Sequence, residues 1–167
     1  MGTSSGGTLA TAALAQRPEL WGAVCAQMPV ADLLTPALDG FVYLTTVVDH
    51  GDPRTPDGAR ALARWSPYQH LREAAYPPVL VWAGEDDTRQ GVWHARKLAA
   101  RLQQLDRAGS DILLRVRAGG GHLSVDTDPD EVAEWLGFLM LNLGLAPQET
   151  ESRVRAEGAS MTNRKDP

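Results

Sequence analysis

A chain of 167 residues with 43% hydrophobic and 22% charged side chains has room for one domain with a real core and is ordinary for a globular protein. The net charge of −5, with no Lys/Arg cluster, argues against a nucleic-acid surface. No apolar run approaches membrane-spanning length, and no basic segment followed by a hydrophobic stretch marks a signal peptide. The single cysteine, Cys25, permits no internal disulfide and is expected to be a buried, inert thiol, which points to a reducing, cytoplasmic setting.

The first seven residues hold the first informative pattern. Gly2, Ser4 and Gly6 have the Gly-x-Ser-x-Gly spacing of a nucleophile elbow. A serine hydroxyl becomes a useful nucleophile when it is held exposed beside a base. A sharp strand-to-helix turn does this, and flanking glycines relieve the backbone crowding that the turn creates. The same residues would also pass as a flexible leader, so the rest of the chain must decide.

Residues 6–16 read as a short, alanine-rich helix suited to packing on a sheet, and Pro18 ends it. Residues 21–27 form a short apolar run, the pattern of a buried parallel strand. Residues 28–56 are rich in proline and glycine and read as irregular, with a helix possible over 38–48. A short helix over 57–65 follows, broken by Ser66 and Pro67. Residues 77–84 are a second buried strand ending at Gly84, with Glu85, Asp86 and Asp87 in its exit loop. Val92, Ala95, Leu98, Ala99 and Leu102 recur at helical spacing up to residue 105. Residues 112–116 are a third strand, and 118–122 its exit loop, ending at His122.

The last helix carries the clearest boundary signals: Asp128 as N-cap, Pro129 at the first helical position, Glu131 at the third, and Gly144 as the residue that ends it. Val132, Trp135, Leu136, Leu139 and Leu143 are its expected buried stripe. Alternating helices and strands predict an α/β layer, a three-layer sandwich with a parallel sheet of about three strands. The polar residues 147–167 carry no apolar period and read as a disordered tail after a domain over 1–146.

In an open parallel sheet, functional residues gather where strands exit at their C-terminal ends. Three exits are visible here. Ser4, Asp86 and His122 stand at them, in the Ser, Asp, His order of an α/β-hydrolase. Ser4 would be the nucleophile, His122 the base and Asp86 the group that orients His122, with the backbone N–H of Ser5 as an oxyanion donor. Each also has a plainer reading: Asp86 and Asp87 as turn residues, His122 as a loop histidine. His70 and His94 read as structural, whereas His50 remains open as part of a substrate site. Asp126, Asp128 and Asp130 superficially resemble a calcium loop, but Glu131 stands where glycine is needed and Gly137 where glutamate is needed. No metal or cofactor is expected.

Several stretches together resemble the hydrolase domain of the prolyl oligopeptidase family of serine peptidases, from Gly2 to about Leu145. They are Gly2 to Gly7, Gln16 to Val24, Gln27 to Asp32, His50 to Pro53, Trp65 to Tyr68, Asp86 and Asp87, His94 to Lys97, Leu102 and Gln103, and Gly120 to His122. The resemblance implies a partial α/β-hydrolase fold and hydrolysis of short peptides, with Ser4, Asp86 and His122 as the triad. Acyl-aminoacyl peptidase or esterase activity on the same triad, or a non-catalytic remnant, are the alternatives. The family usually carries Asp-Asp-Arg, with the first Asp as the acid; here Thr88 separates Asp87 from Arg89, whose peptide-binding role the resemblance suggests. Some members stack a tryptophan on substrate proline, where this chain has Phe41, Tyr43 and Leu44, leaving Tyr43 as the substrate-binding candidate. The resemblance further implies earlier hydrolase strands, a tyrosine that completes the oxyanion hole and a covering β-propeller, none of which is in this sequence. The expectation is therefore a truncated piece and a poor catalyst, with no strand leading into the elbow. The strand over 22–27 would then be an unpaired sheet edge prone to self-association.

Overall fold

A computed structural model describes residues 1–35, 40–122 and 128–145. Among them, four parallel strands form one sheet in the order β1-β2-β3-β4: β1 Gly2–Thr3, β2 Val24–Gln27, β3 Val79–Gly84 and β4 Ile112–Arg117. The helices are α1 Ser5–Gln16, α2 Gly40–His50, α3 Pro56–Ala63, α4 Pro67–His70, α5 Trp93–Leu105 and α6 Pro129–Asn142. The tail expected over 147–167 lies outside the described residues.

The side-chain alternation of β3 sets the layers. Val79, Val81 and Ala83 face one way, into a core shared with Leu14 and Ala15 of α1 and Leu98 and Leu102 of α5. Leu80 and Trp82 face the other way, with Cys25 and Met28, against Trp135, Phe138 and Leu139 of α6. Both faces of the sheet are covered, which is why its central strands read as unbroken apolar runs. Burial pushes the Cys25 thiol up to about 12, so it stays protonated and unreactive.

The sheet has one strand more than expected. Gly2 and Thr3 lead into the elbow and pair with Ala26 and Gln27, so β2 lies between β1 and β3 and is not the free edge. A two-residue strand of glycine and threonine has no hydrophobic pattern to announce it. The one-turn helix α4 occupies what read as a break, because Pro67 at its first position fits a helix start as well as an interruption.

In α6, Asp128 accepts a hydrogen bond from the amide of Asp130, as an N-cap should. Gly144 adopts φ 68°, and the amides of Gly144 and Leu145 return to the carbonyls of Leu141 and Met140 in a Schellman closure. The expected stripe is only half right. Leu136 and Leu143 are exposed and Phe138 packs inward instead. Glu131 is buried by an ion pair to Arg117, 2.9 Å away, which anchors the helix start to the end of β4.

Candidate active site

The elbow is strained where the sequence pattern requires it. Ser4 has φ 57° and ψ −122°, a conformation L-residues seldom adopt. A Cβ on Gly2 would fall 2.1 Å from the carbonyl oxygen of Gly6, and one on Gly7 would fall 2.7 Å from that of Gln27. A Cβ on Gly6 would meet nothing within 4 Å. The crowding argument therefore holds for Gly2 but not for Gly6, and Gly7 is the second obligatory glycine. The first turn of α1 has already swung Gly6 away from β2, whereas Gly7 faces it.

At the opposite side of the site, Gly84 ends β3 where the loop after β4 crosses it. A Cβ there would fall 2.2 Å from the carbonyl oxygen of Gly120. The same approach lets the amide of Asp86 bond the Gly120 carbonyl at 3.0 Å. Gly119 turns the chain with φ 66°. The glycines before His122 thus fix its loop onto the exit of β3 instead of merely linking elements.

These constraints bring three side chains into one hydrogen-bonded row. His122 Nε2 lies 3.1 Å from Ser4 Oγ, and His122 Nδ1 lies 2.7 Å from Asp87 Oδ2. The carboxylate beside His122 belongs to Asp87, not to Asp86. Asp86 is exposed, its backbone held to Gly120, while the Asp87 side chain is fully buried. The other carboxylate oxygen of Asp87 accepts the amides of Arg89 (2.8 Å) and Gln90 (2.9 Å), a turn that pins the carboxylate's orientation. The path of this loop separates the two adjacent aspartates.

Ser5 opens α1 beside Ser4, so its amide belongs to the unpaired N-terminal end of that helix. A cleft of about 380 Å³ starts at Ser4 and Ser5. Val30, Leu33 and Trp65 give it an apolar wall, and Phe41, Thr45 and Asp49 face it from α2. Those three recur every four residues, one stripe of a helix. Tyr43, two positions on from Phe41, is turned away: its hydroxyl bonds Asp52 at 3.0 Å and its ring lies 4.0 Å from the Arg54 guanidinium. Phe41, not Tyr43, lines the cleft. The Arg89 guanidinium stands 5.8 Å from the centre of the Phe41 ring, outside the wall. His50 lines the cleft edge-on to Trp65. His94 is buried and receives the Asp32 amide, and His70 meets the Ala63 carbonyl, both as parts of the scaffold.

One residue at the site carried no sequence signal. The side-chain amide of Gln90 donates to Ser4 Oγ at 3.1 Å. Among the described residues, no group of three or more His, Cys, Asp or Glu side chains could hold a metal ion, and no helix is long and apolar enough to cross a membrane.

Residues 1–146 match the model of the prolyl oligopeptidase family. The chain belongs to this family. It is 28% identical over 153 residues to Protease 2 of Moraxella lacunata, covering 89% of this chain and 22% of that protein. It is 30% identical over 151 residues to dipeptidyl aminopeptidase BI of Pseudoxanthomonas mexicana, covering 87% of this chain and 21% of the relative. Among solved structures, oligopeptidase B from Leishmania major superposes with a TM-score of 0.78 at 27% identity, over 86% of this chain and 21% of that one. The chain thus spans about a fifth of the length of these relatives, and its parallel sheet flanked by helices is the α/β-hydrolase catalytic fold of the family.

Proposed function

We propose that this chain carries the nucleophile, base and acid of a serine peptidase that hydrolyses short peptides. The observation that carries the reading is the row Ser4–His122–Asp87, mounted on a strained elbow and two strand-exit loops. Ser4 Oγ attacks the peptide carbonyl carbon while its proton passes to His122 Nε2. Asp87 holds the Nδ1–H tautomer and stabilises the imidazolium that forms. The tetrahedral oxyanion takes a hydrogen bond from the Ser5 amide at the start of α1. Collapse breaks the C–N bond, His122 returns the proton to the leaving amine, and water then repeats the sequence on the acyl-enzyme.

The spacing of Arg89 supports the reassigned acid. Counted from Asp87, the arginine stands two residues on, the spacing of the family's Asp-Asp-Arg, so Thr88 replaces the second Asp and no insertion is needed. Arg89, 5.8 Å from the centre of the Phe41 ring, would bind a carbonyl or carboxylate of a peptide that extends past the cleft wall.

Labelling with a fluorophosphonate tests the nucleophile. Wild-type chain should label once and Ser4→Ala not at all. Undiminished labelling of Ser4→Ala would end the assignment.

A further inference from the structure

Gln90 is bound to two members of the row at once. Its backbone N–H donates to Asp87, and its side-chain Nε2 donates to Ser4 Oγ at 3.1 Å. A serine hydroxyl has one hydrogen and two lone pairs. His122 Nε2 is also 3.1 Å from that oxygen and, with Nδ1–H engaged by Asp87, is an acceptor. With Gln90 donating into one lone pair, the hydroxyl proton is directed to His122 and the remaining lone pair is free to attack.

The other end of the same carboxamide gives the substitution test its sign. Gln90 is 8% exposed, and its Oε1 is buried without a hydrogen-bond partner among the described residues. Burying an unpaired amide oxygen costs stability, which an apolar side chain of similar size would avoid.

We propose that Gln90 is a further catalytic residue, a fixed N–H donor that sets the Ser4 hydroxyl rotor and stabilises Oγ as it gives up its proton. The proposal rests on the serine-nucleophile reading above. In reaction with a fluorophosphonate, the Oγ–P bond forms, the P–F bond breaks, fluoride leaves and the Oγ proton passes to His122. Gln90 acts on Oγ before and during that step and is unchanged after it. Because developing charge strengthens a hydrogen bond, losing the donor should slow the step about 10- to 100-fold.

The experiment compares labelling rates of the 167-residue chain with Gln90→Leu, Gln90→Glu and Ser4→Ala over a range of pH, alongside thermal melts. Gln90→Leu should label about 10-fold slower or more, with the pH midpoint of wild type and a melting temperature equal or higher, since it removes the unpaired oxygen as well. Gln90→Glu should be slower still, because a carboxylate accepts the Oγ proton in competition with His122. Wild-type labelling by Gln90→Leu overturns the proposal. So does a lowered melting temperature with a displaced pH midpoint, the signature of a glutamine that only holds the Asp87 loop. If wild type itself fails to label, the serine reading fails and this proposal with it; if wild type labels and Gln90→Leu matches it, the proposal alone fails.

Discussion

Replacing Asp87 by asparagine separates the two adjacent carboxylates and has a size that the geometry supplies. When His122 takes the Ser4 proton, a positive imidazolium forms with a carboxylate oxygen 2.7 Å from Nδ1. Taking the charge centres as about 4 Å apart and an effective dielectric constant near 20, the attraction is about 4 kcal/mol, or roughly a factor of 10³ in rate. Screening by water is slight, since the side chains of His122 and Asp87 are 9% and 0% exposed. The amide adds a second penalty. The backbone N–H groups of Arg89 and Gln90 require an oxygen at the Oδ1 position, so the asparagine must turn its NH₂ toward His122. His122 then has to accept at Nδ1 and carry its hydrogen on Nε2, where the serine needs an acceptor. Asp87→Asn should therefore slow fluorophosphonate labelling by about 10³- to 10⁴-fold. Asp86→Asn, which changes an exposed charge, should stay within about fivefold of wild type. Loss of labelling in Asp86→Asn with wild-type labelling in Asp87→Asn would refute the assignment and the tautomer argument together.

Two other substitutions test the scaffold. Gly6→Ala should raise stability by about 0.5–1 kcal/mol in thermal or urea melts, because it places alanine in an open helical position; Gly2→Ala, whose Cβ has no room, should abolish labelling. A harmless Gly2→Ala would show that the elbow is looser than described. The third concerns Asp32, which is buried and bound by Lys97 at 2.5 Å, Gln69 at 2.8 Å and Thr35 at 2.7 Å. Burial alone would raise its pKa, but these donors outweigh burial and hold it below the usual carboxylate value. A depressed folded-state pKa contributes stability above the unfolded value of about 3.9 and loses it as the pH falls below that. Urea midpoints should therefore drop on acidification below about pH 4, and Asp32→Asn should flatten that slope; an unchanged slope would remove Asp32 from the acid response.

How much of this was legible in sequence follows from how local each signal is. The strand over 79–84 was readable because all six of its residues are buried and none is polar; the strand over 112–116 was readable from the apolar run Ile112, Leu113 and Leu114, although it stands at the end of the described sheet with Leu113 and Leu114 exposed. The ends of α6 were readable because Asp128, Pro129 and Gly144 act on their own neighbours. The choice between Asp86 and Asp87 was missed: the spacing to Arg89 bears on it, but the loop path depends on a carbonyl of Gly120 thirty-odd residues away. Phe41 and Tyr43 could not be told apart without the phase of α2, which Phe41, Thr45 and Asp49 set by facing the cleft. Gln90 lies in a loop with no period, and its contact spans 86 residues of chain. Ser4 and His122, which the structure brings within 3.1 Å, could be picked out as candidates because the elbow spacing and the glycine-rich exit are each short-range patterns.

The elbow also explains how a two-residue strand can present a strained serine. No strand was expected to lead into the elbow, yet β1 does, and the bonds that hold the turn run to the neighbouring strand. Gln27, fully buried at the end of β2, accepts the Ser4 amide on its backbone oxygen at 2.9 Å and the Thr3 hydroxyl on its side-chain oxygen at 2.6 Å. The turn of α1 closes over the same carbonyl, where only a glycine fits at position 7. Thr8 then ties that turn both ways, its amide to the Ser4 carbonyl and its hydroxyl to the Val30 amide just beyond β2. An unfavourable φ/ψ pair persists only where surrounding bonds over-determine it, and here those bonds come from β2. Since β2 is registered on β3 along all four of its residues, and β3 carries the Asp87 loop, Ser4 and Asp87 are positioned by the same pair of strands. Ser4 and Asp87 are therefore tied to the central strands of the described sheet, and His122 reaches them from the loop after β4.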